Sequence, residues 1–175
     1  MEHQAVEQRA EWDAIFGSLR AYCDFLARLR CVLEAAESAT DPLLASAGPW
    51  AAHRRRAAWI AEDLAALHAT PGVAHGAVAD FSWARTSNDA AGVAYVLEGS
   101  ALGGVHLAGR ARHALGLGNV GTRYLHGNGK ATQSHWLQVK CWLDSVLVTP
   151  SAQRQAIAAA KRTFDIYSWA VAVPC

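Results

Sequence analysis

The stretch YVLEGSALGG, Tyr95 to Gly104, decides how this chain is read, because it puts Gly99, Gly103 and Gly104 inside a segment otherwise built of helix formers. A glycine in a helix interior costs about 1 kcal/mol relative to alanine. Gly99 and Gly103 are four apart, so on a helix they stack one turn above the other, with Tyr95 one turn before and His106 nearly one turn after. Removing two side chains from one face lets a flat object or another helix reach the backbone. On spacing alone, small-residue helix packing and a ligand face are both open.

Working outward, the apolar residues recur at three and four rather than two, which predicts an all-α chain. A helix is expected from Gly17-Ser18 to about Ser38, with Leu19, Tyr22, Leu26, Leu29, Leu33 and Ala36 as its apolar stripe and breaks at Asp41-Pro42 and Gly48-Pro49. The next runs from about Trp50 to His68, with Trp59, Ile60, Leu64 and Leu67 inward and Arg54, Arg55 and Arg56 on the wetter side. Thr70 to Thr86 is the longest loop. Ser87 or Asn88 caps the glycine helix, which reaches about Leu115 before Gly116, Gly118 and Gly121 end it. After HGNGK (126–130), Trp136, Val139, Leu143 and Val146 mark another helix. Thr149-Pro150 opens the last, which carries Ile157, Lys161, Phe164, Tyr167 and Val171.

The 175 residues suit one domain with a sizeable core, and 52% hydrophobic with 18% charged residues is a globular balance. A net charge of +1 gives no global pull toward nucleic acid or an acidic membrane. The apolar runs AAGVAYVL and WAVAV fall short of the ~20 residues that span a bilayer, and no charged-then-apolar leader opens the chain, so a cytoplasmic protein is expected. Cys23, Cys31, Cys141 and Cys175 form no Cys-x-x-Cys pair and are expected as free thiols. No nucleophile elbow occurs, GLGNVG lacks the strand a dinucleotide fingerprint needs, and GNGK lacks phosphate-loop spacing.

YVLEGSALGG closely resembles the distal helix of bacterial haem oxygenases, especially those associated with bacteriophytochromes. RRRAAWIAEDLAAL resembles that family's basic helix, TRYLHGNGKATQSHW its segment leading to a tryptophan helix, and AAAKRTFDIY its last helix, in the same order along the chain. The resemblance implies a multihelical bundle in which a kinked glycine-rich helix lies across one haem face. Gly99 and Gly103 are then the close-approach positions beside Gly104, with Tyr95 near a propionate. Ser100 stands where animal members carry aspartate, which groups this chain with the bacterial type, and it is the candidate anchor for a proton-delivering water.

The implied reaction is oxygen- and reductant-dependent cleavage of haem, both substrate and cofactor, to biliverdin, ferrous iron and carbon monoxide. Electrons would come from a ferredoxin or a reductase, and a bacteriophytochrome would accept the product. The family ligates iron through a first-helix histidine. The candidate is His3, with Glu7 at i+4 able to hold the second ring nitrogen. His106 is the rival ligand, with His113 further along its stripe; His53, His68, His75, His126 and His135 show no metal-ligand spacing. Arg112 and Arg123, with Arg110 and Lys130, are candidate propionate partners, and each also reads as a solvated surface charge. A haem or bilin carrier without turnover, and a helical interaction module, are the alternatives from other classes.

Overall fold

The computed structural model describes residues 12–51, 55–69 and 79–172. Within them lie α1 (Trp12–Ile15), α2 (Leu19–Leu44), α3 (Arg56–Ala66), α4 (Ser87–Leu115), α5 (Arg123–His126), a 3-10 turn (Gly129–Ala131), α6 (Thr132–Val146) and α7 (Pro150–Val171), with no strand among the described residues. The all-α multihelical class expected from the sequence is what the chain adopts.

The three longest helices each start where a side chain can take up a free amide. Ser18 accepts from the Ala21 amide to open α2. Thr149 accepts from Ala152, with Pro150 in the first turn, to open α7. α4 is capped by Thr86, one residue before the expected Ser87 or Asn88, because Thr86 and Asp89 form a reciprocal capping box. Gly116 ends it in the left-handed conformation that glycine tolerates.

Two boundaries differ from expectation. α2 runs through Asp41 and Pro42 to Leu44 instead of stopping near Ser38. Pro42 falls in the last turn, where the missing amide removes one bond at a fraying end rather than breaking an interior. α3 is shorter than Trp50 to His68, and Trp50 itself precedes it as a buried residue of the second core cluster. Leu19, placed in the apolar stripe, is exposed at the first position of α2.

α4 is the central element, packed along α7 and also against α2, α5 and α6. The main core joins Tyr22, Phe25, Leu26, Leu29, Val32 and Leu33 of α2 to Ile60, Val93, Leu97, Tyr167 and Val171. A second cluster sets Leu44 and Trp50 against Ala90, Ala91, Ala94, Val139, Leu143 and Ala156. Small residues make this packing close. A Cβ on Gly92 would sit 2.2 Å from the Ala156 carbonyl oxygen, and one on Gly104 would sit 2.4 Å from that of Leu125. Cys23, Cys31 and Cys141 are free thiols, as expected, and Cys175 lies outside the described residues. No helix among the described residues is long and apolar enough to cross a membrane.

Candidate functional site

Tyr95, Gly99, Gly103 and His106 fall on one side of α4 as their spacing requires. Gly99 is buried and Gly103 half-buried. Tyr95, Leu102 and Val105 of the same helix are each about 40% exposed (39%, 43% and 41%), and Tyr95 and Leu102, two turns apart, share one side of it. At its N-terminal end this side meets a cleft of about 380 Å³ between α4, α6 and α7, with Gly92 and Tyr95 on its floor and Leu143, Leu147, Ile157 and Phe164 on its walls. Trp136 of α6 packs its ring against Tyr95 at 5.6 Å. At the other end Arg110 pairs with Asp13 at 2.9 Å and lies over the Phe16 ring, so the chain from α1 runs beside this same face of α4.

Behind this face lies an ionic cluster that sequence reasoning did not find. Arg56, expected on the wetter side of its helix, is buried: its guanidinium bonds Glu98 at 2.9 Å, and His135 reaches the same carboxylate oxygen at 2.9 Å. The side chains of Arg56 and Glu98 are only 4% and 2% exposed. Burial works against the arginine's charge, but Glu98 beside it more than compensates and holds it protonated. Arg56 precedes Ile60 by one turn, so it lies on the same stripe as the helix's buried residues. That spacing was the available signal. The Arg56 and Ala57 amides both donate to Glu37 of α2, which fixes the start of α3.

Ser100 donates its hydroxyl to the Leu97 carbonyl at 2.8 Å and neighbours the Tyr124 hydroxyl. Tyr124 and Tyr167 join oxygen to oxygen at 2.8 Å. Burial first, then the adjacent Tyr167, push the Tyr124 hydroxyl well above its ordinary range, so it stays neutral.

The remaining candidates are not gathered at this face. Gly104 faces α5. Arg112 donates to the Thr122 hydroxyl at 2.9 Å. Arg123 stacks over Trp59 at 3.9 Å and bonds the Gly127 carbonyl. Both arginines line a separate hollow with Asp63 and His126. Asp63 accepts from the Arg123 and Tyr124 amides at 2.6 and 2.8 Å, a cap for α5, while burial raises its pKa in spite of those bonds. His106 and His113 are exposed. His3 and Glu7 lie outside the described residues.

A glycine-bearing face on a central helix, an apolar cleft at its end and buried polar groups behind it are in keeping with the outcome of comparison with protein families. The family model described as Heme oxygenase matches residues 1–172. The chain belongs to the haem oxygenase family. No curated protein matches it. As a haem oxygenase family member it carries its glycine helix as α4, and the resemblance read in YVLEGSALGG falls on the helix around which this fold is built.

Proposed function

We propose that this protein is an enzyme that cleaves haem, with dioxygen and external electrons, to biliverdin, ferrous iron and carbon monoxide. The observation that carries the reading is the glycine face of α4, with exposed Tyr95 on it and an uncharged cleft at its N-terminal end. A flat, mostly apolar substrate fits such a surface, since pockets of this kind bury apolar area and use few polar groups for orientation. Bound haem supplies the iron that takes up dioxygen, and the protein's task is to orient the ring and bring protons to one side.

Gly99 and Gly103 let the α4 backbone stand against the ring, and Tyr95 with Trp136 borders its edge. Ser100, at the rim of the face, is the site for an ordered water. His3 is proposed as the iron ligand, with Glu7 bonding its second nitrogen. Arg112 and Arg123 are proposed as propionate partners, although each bonds a neighbouring group; Arg110, on the glycine side of α4 and paired with the exposed Asp13, is a third candidate. The family resemblance, with Ser100 where animal members carry an acid, groups the chain with the bacterial type, and on that resemblance alone a ferredoxin or reductase is proposed as donor, a bacteriophytochrome as acceptor, and the cytoplasm as the place of action.

Anaerobic addition of haem followed by oxygen and ascorbate tests this. A Soret band should form and then give way to biliverdin absorbance. A Soret band that persists would leave only a carrier, and no Soret band would defeat every haem reading. An unchanged haem spectrum in His3→Ala would reject the ligand assignment.

A further inference from the structure

The two ends of the glycine side of α4 differ in chemistry. At the cleft, Gly92, Ala156 and Ala160 open the space by their small size, Leu147, Ile157 and Phe164 wall it, and among the described residues no charged side chain lines it. The exposed Gln153 there already donates its amide to the Leu147 carbonyl at 2.9 Å. Ile157 is 56% exposed, so it offers apolar surface to whatever enters. At the other end, two turns beyond Gly103 on the same side of the helix, stands Arg110. Its pair with Asp13 is open to solvent, with side chains 49% and 101% exposed, so the guanidinium can exchange Asp13 for another carboxylate at little cost. Arg112 and Arg123 instead line the hollow with Asp63. Tyr95, at the cleft, and Arg110 are about 22 Å apart along the axis of α4, with Gly99 and Gly103 between them.

We infer that the cleft selects its substrate by edge: it takes the uncharged rim of a tetrapyrrole while the anionic rim lies toward Arg110, and Ile157 is the residue that discriminates. The inference rests on the haem-cleaving reading above and narrows its substrates to tetrapyrroles charged along one edge only. A haem carries both propionates on one edge and vinyl and methyl groups on the opposite one. Turned end for end, it would press two carboxylates into a space that offers no cation and one occupied amide, where a charge loses its water without a partner. The ring's outline is nearly the same either way, so charge rather than shape makes the choice. Tyr95, which lines the cleft, then borders the uncharged edge and not a propionate.

The test is equilibrium binding of ferric haems followed by absorbance, without reductant, so that turnover plays no part. Protohaem and mesohaem differ only in vinyl against ethyl groups and should bind within about threefold of one another, since neither brings charge to the cleft. Deuterohaem disulfonate, with a sulfonate at each vinyl position, should bind about a hundredfold more weakly, because both of its edges are charged. Ile157→Lys, at an exposed position, should recover about tenfold of that loss and weaken protohaem, a change of preference that a packing defect does not produce. Arg110→Gln should weaken protohaem and leave the binding of its dimethyl ester, which lacks the propionate charges, as in the parent. Disulfonate bound as tightly as protohaem by the parent overturns the inference, and so does an Ile157→Lys protein that keeps the parent's ratio between the two. If the parent binds no haem at all, the functional reading fails first and this inference falls with it. If it cleaves protohaem but binds both haems alike, only the selection by edge is lost.

Discussion

Replacing Glu98 by leucine should be among the most damaging single changes available in this chain. The carboxylate receives Arg56 and His135 on one oxygen at 2.9 Å each, in surroundings where Arg56 and Glu98 are almost wholly out of solvent. Removing one partner of such a pair strands the other charge, at a cost of about 3 to 5 kcal/mol. His135 also loses its acceptor, worth about 1 kcal/mol. The lost volume is small, so about 5 kcal/mol is expected. At about 2 to 4 °C per kcal/mol for a chain of this size, Tm should fall by roughly 10 to 20 °C. Arg56→Met should cost less, about 2 to 3 kcal/mol, because Glu98 keeps its bond to His135. The double variant Arg56→Met/Glu98→Leu should recover to within about 1 to 2 kcal/mol of the parent, since no unpaired charge remains. Thermal and urea unfolding followed by helical circular dichroism measure all three. A double variant less stable than Glu98→Leu alone would refute the stranded-charge argument and make the cluster a matter of shape.

Further outcomes follow from other contacts. Gly92→Ala would drive a methyl into the Ala156 carbonyl at 2.2 Å, backbone against backbone; helices α4 and α7 must separate, and a loss of about 3 kcal/mol in urea unfolding is expected. Asp63→Asn leaves one of the two α5 amides facing an NH2 group. That penalty is partly offset because the carboxylate's burial cost disappears, so about 1 to 2 kcal/mol is expected in the same assay. Asp89 is the pH-sensitive cap: burial alone would raise its pKa, but bonds from Thr86, Arg85 and Gln155 outweigh burial and lower it below 3.8. Its contribution is complete above that value and lost as pH falls through the lower folded-state pKa, so the stability gap between the parent and Asp89→Asn should close on acidification below about pH 4.

The fold class was legible because helical spacing, Thr149-Pro150 and Gly116 act locally. The extent of α4 was readable for the same reason, to within a residue at its start. The end of α2 was not, since proline usually stops a helix and only its place in the final turn spares it here. Nor was the partner of Gly104: spacing says that a side chain is missing but not which neighbour fills the gap, and the backbone of Leu125 does. Arg56 was misread because three consecutive arginines look like a wetted run. Yet Arg56 keeps the register of Ile60 and Leu64, and Glu98 stands among the buried Val96, Leu97 and Gly99. Two opposite charges on two separate apolar stripes were a signal for one buried pair.

From its start to Gly104, α4 is tethered at short intervals. Gln155 of α7 donates to Thr86 and Asp89 at its start, Gly92 presses on Ala156, Glu98 is tied to α3 and α6, and Gly104 rests on Leu125. A helix pinned at four levels can neither roll nor slide without breaking several contacts at once. On the proposed reading α4 is therefore a fixed jaw, and any opening that admits or releases a flat molecule would have to be made by whatever faces it.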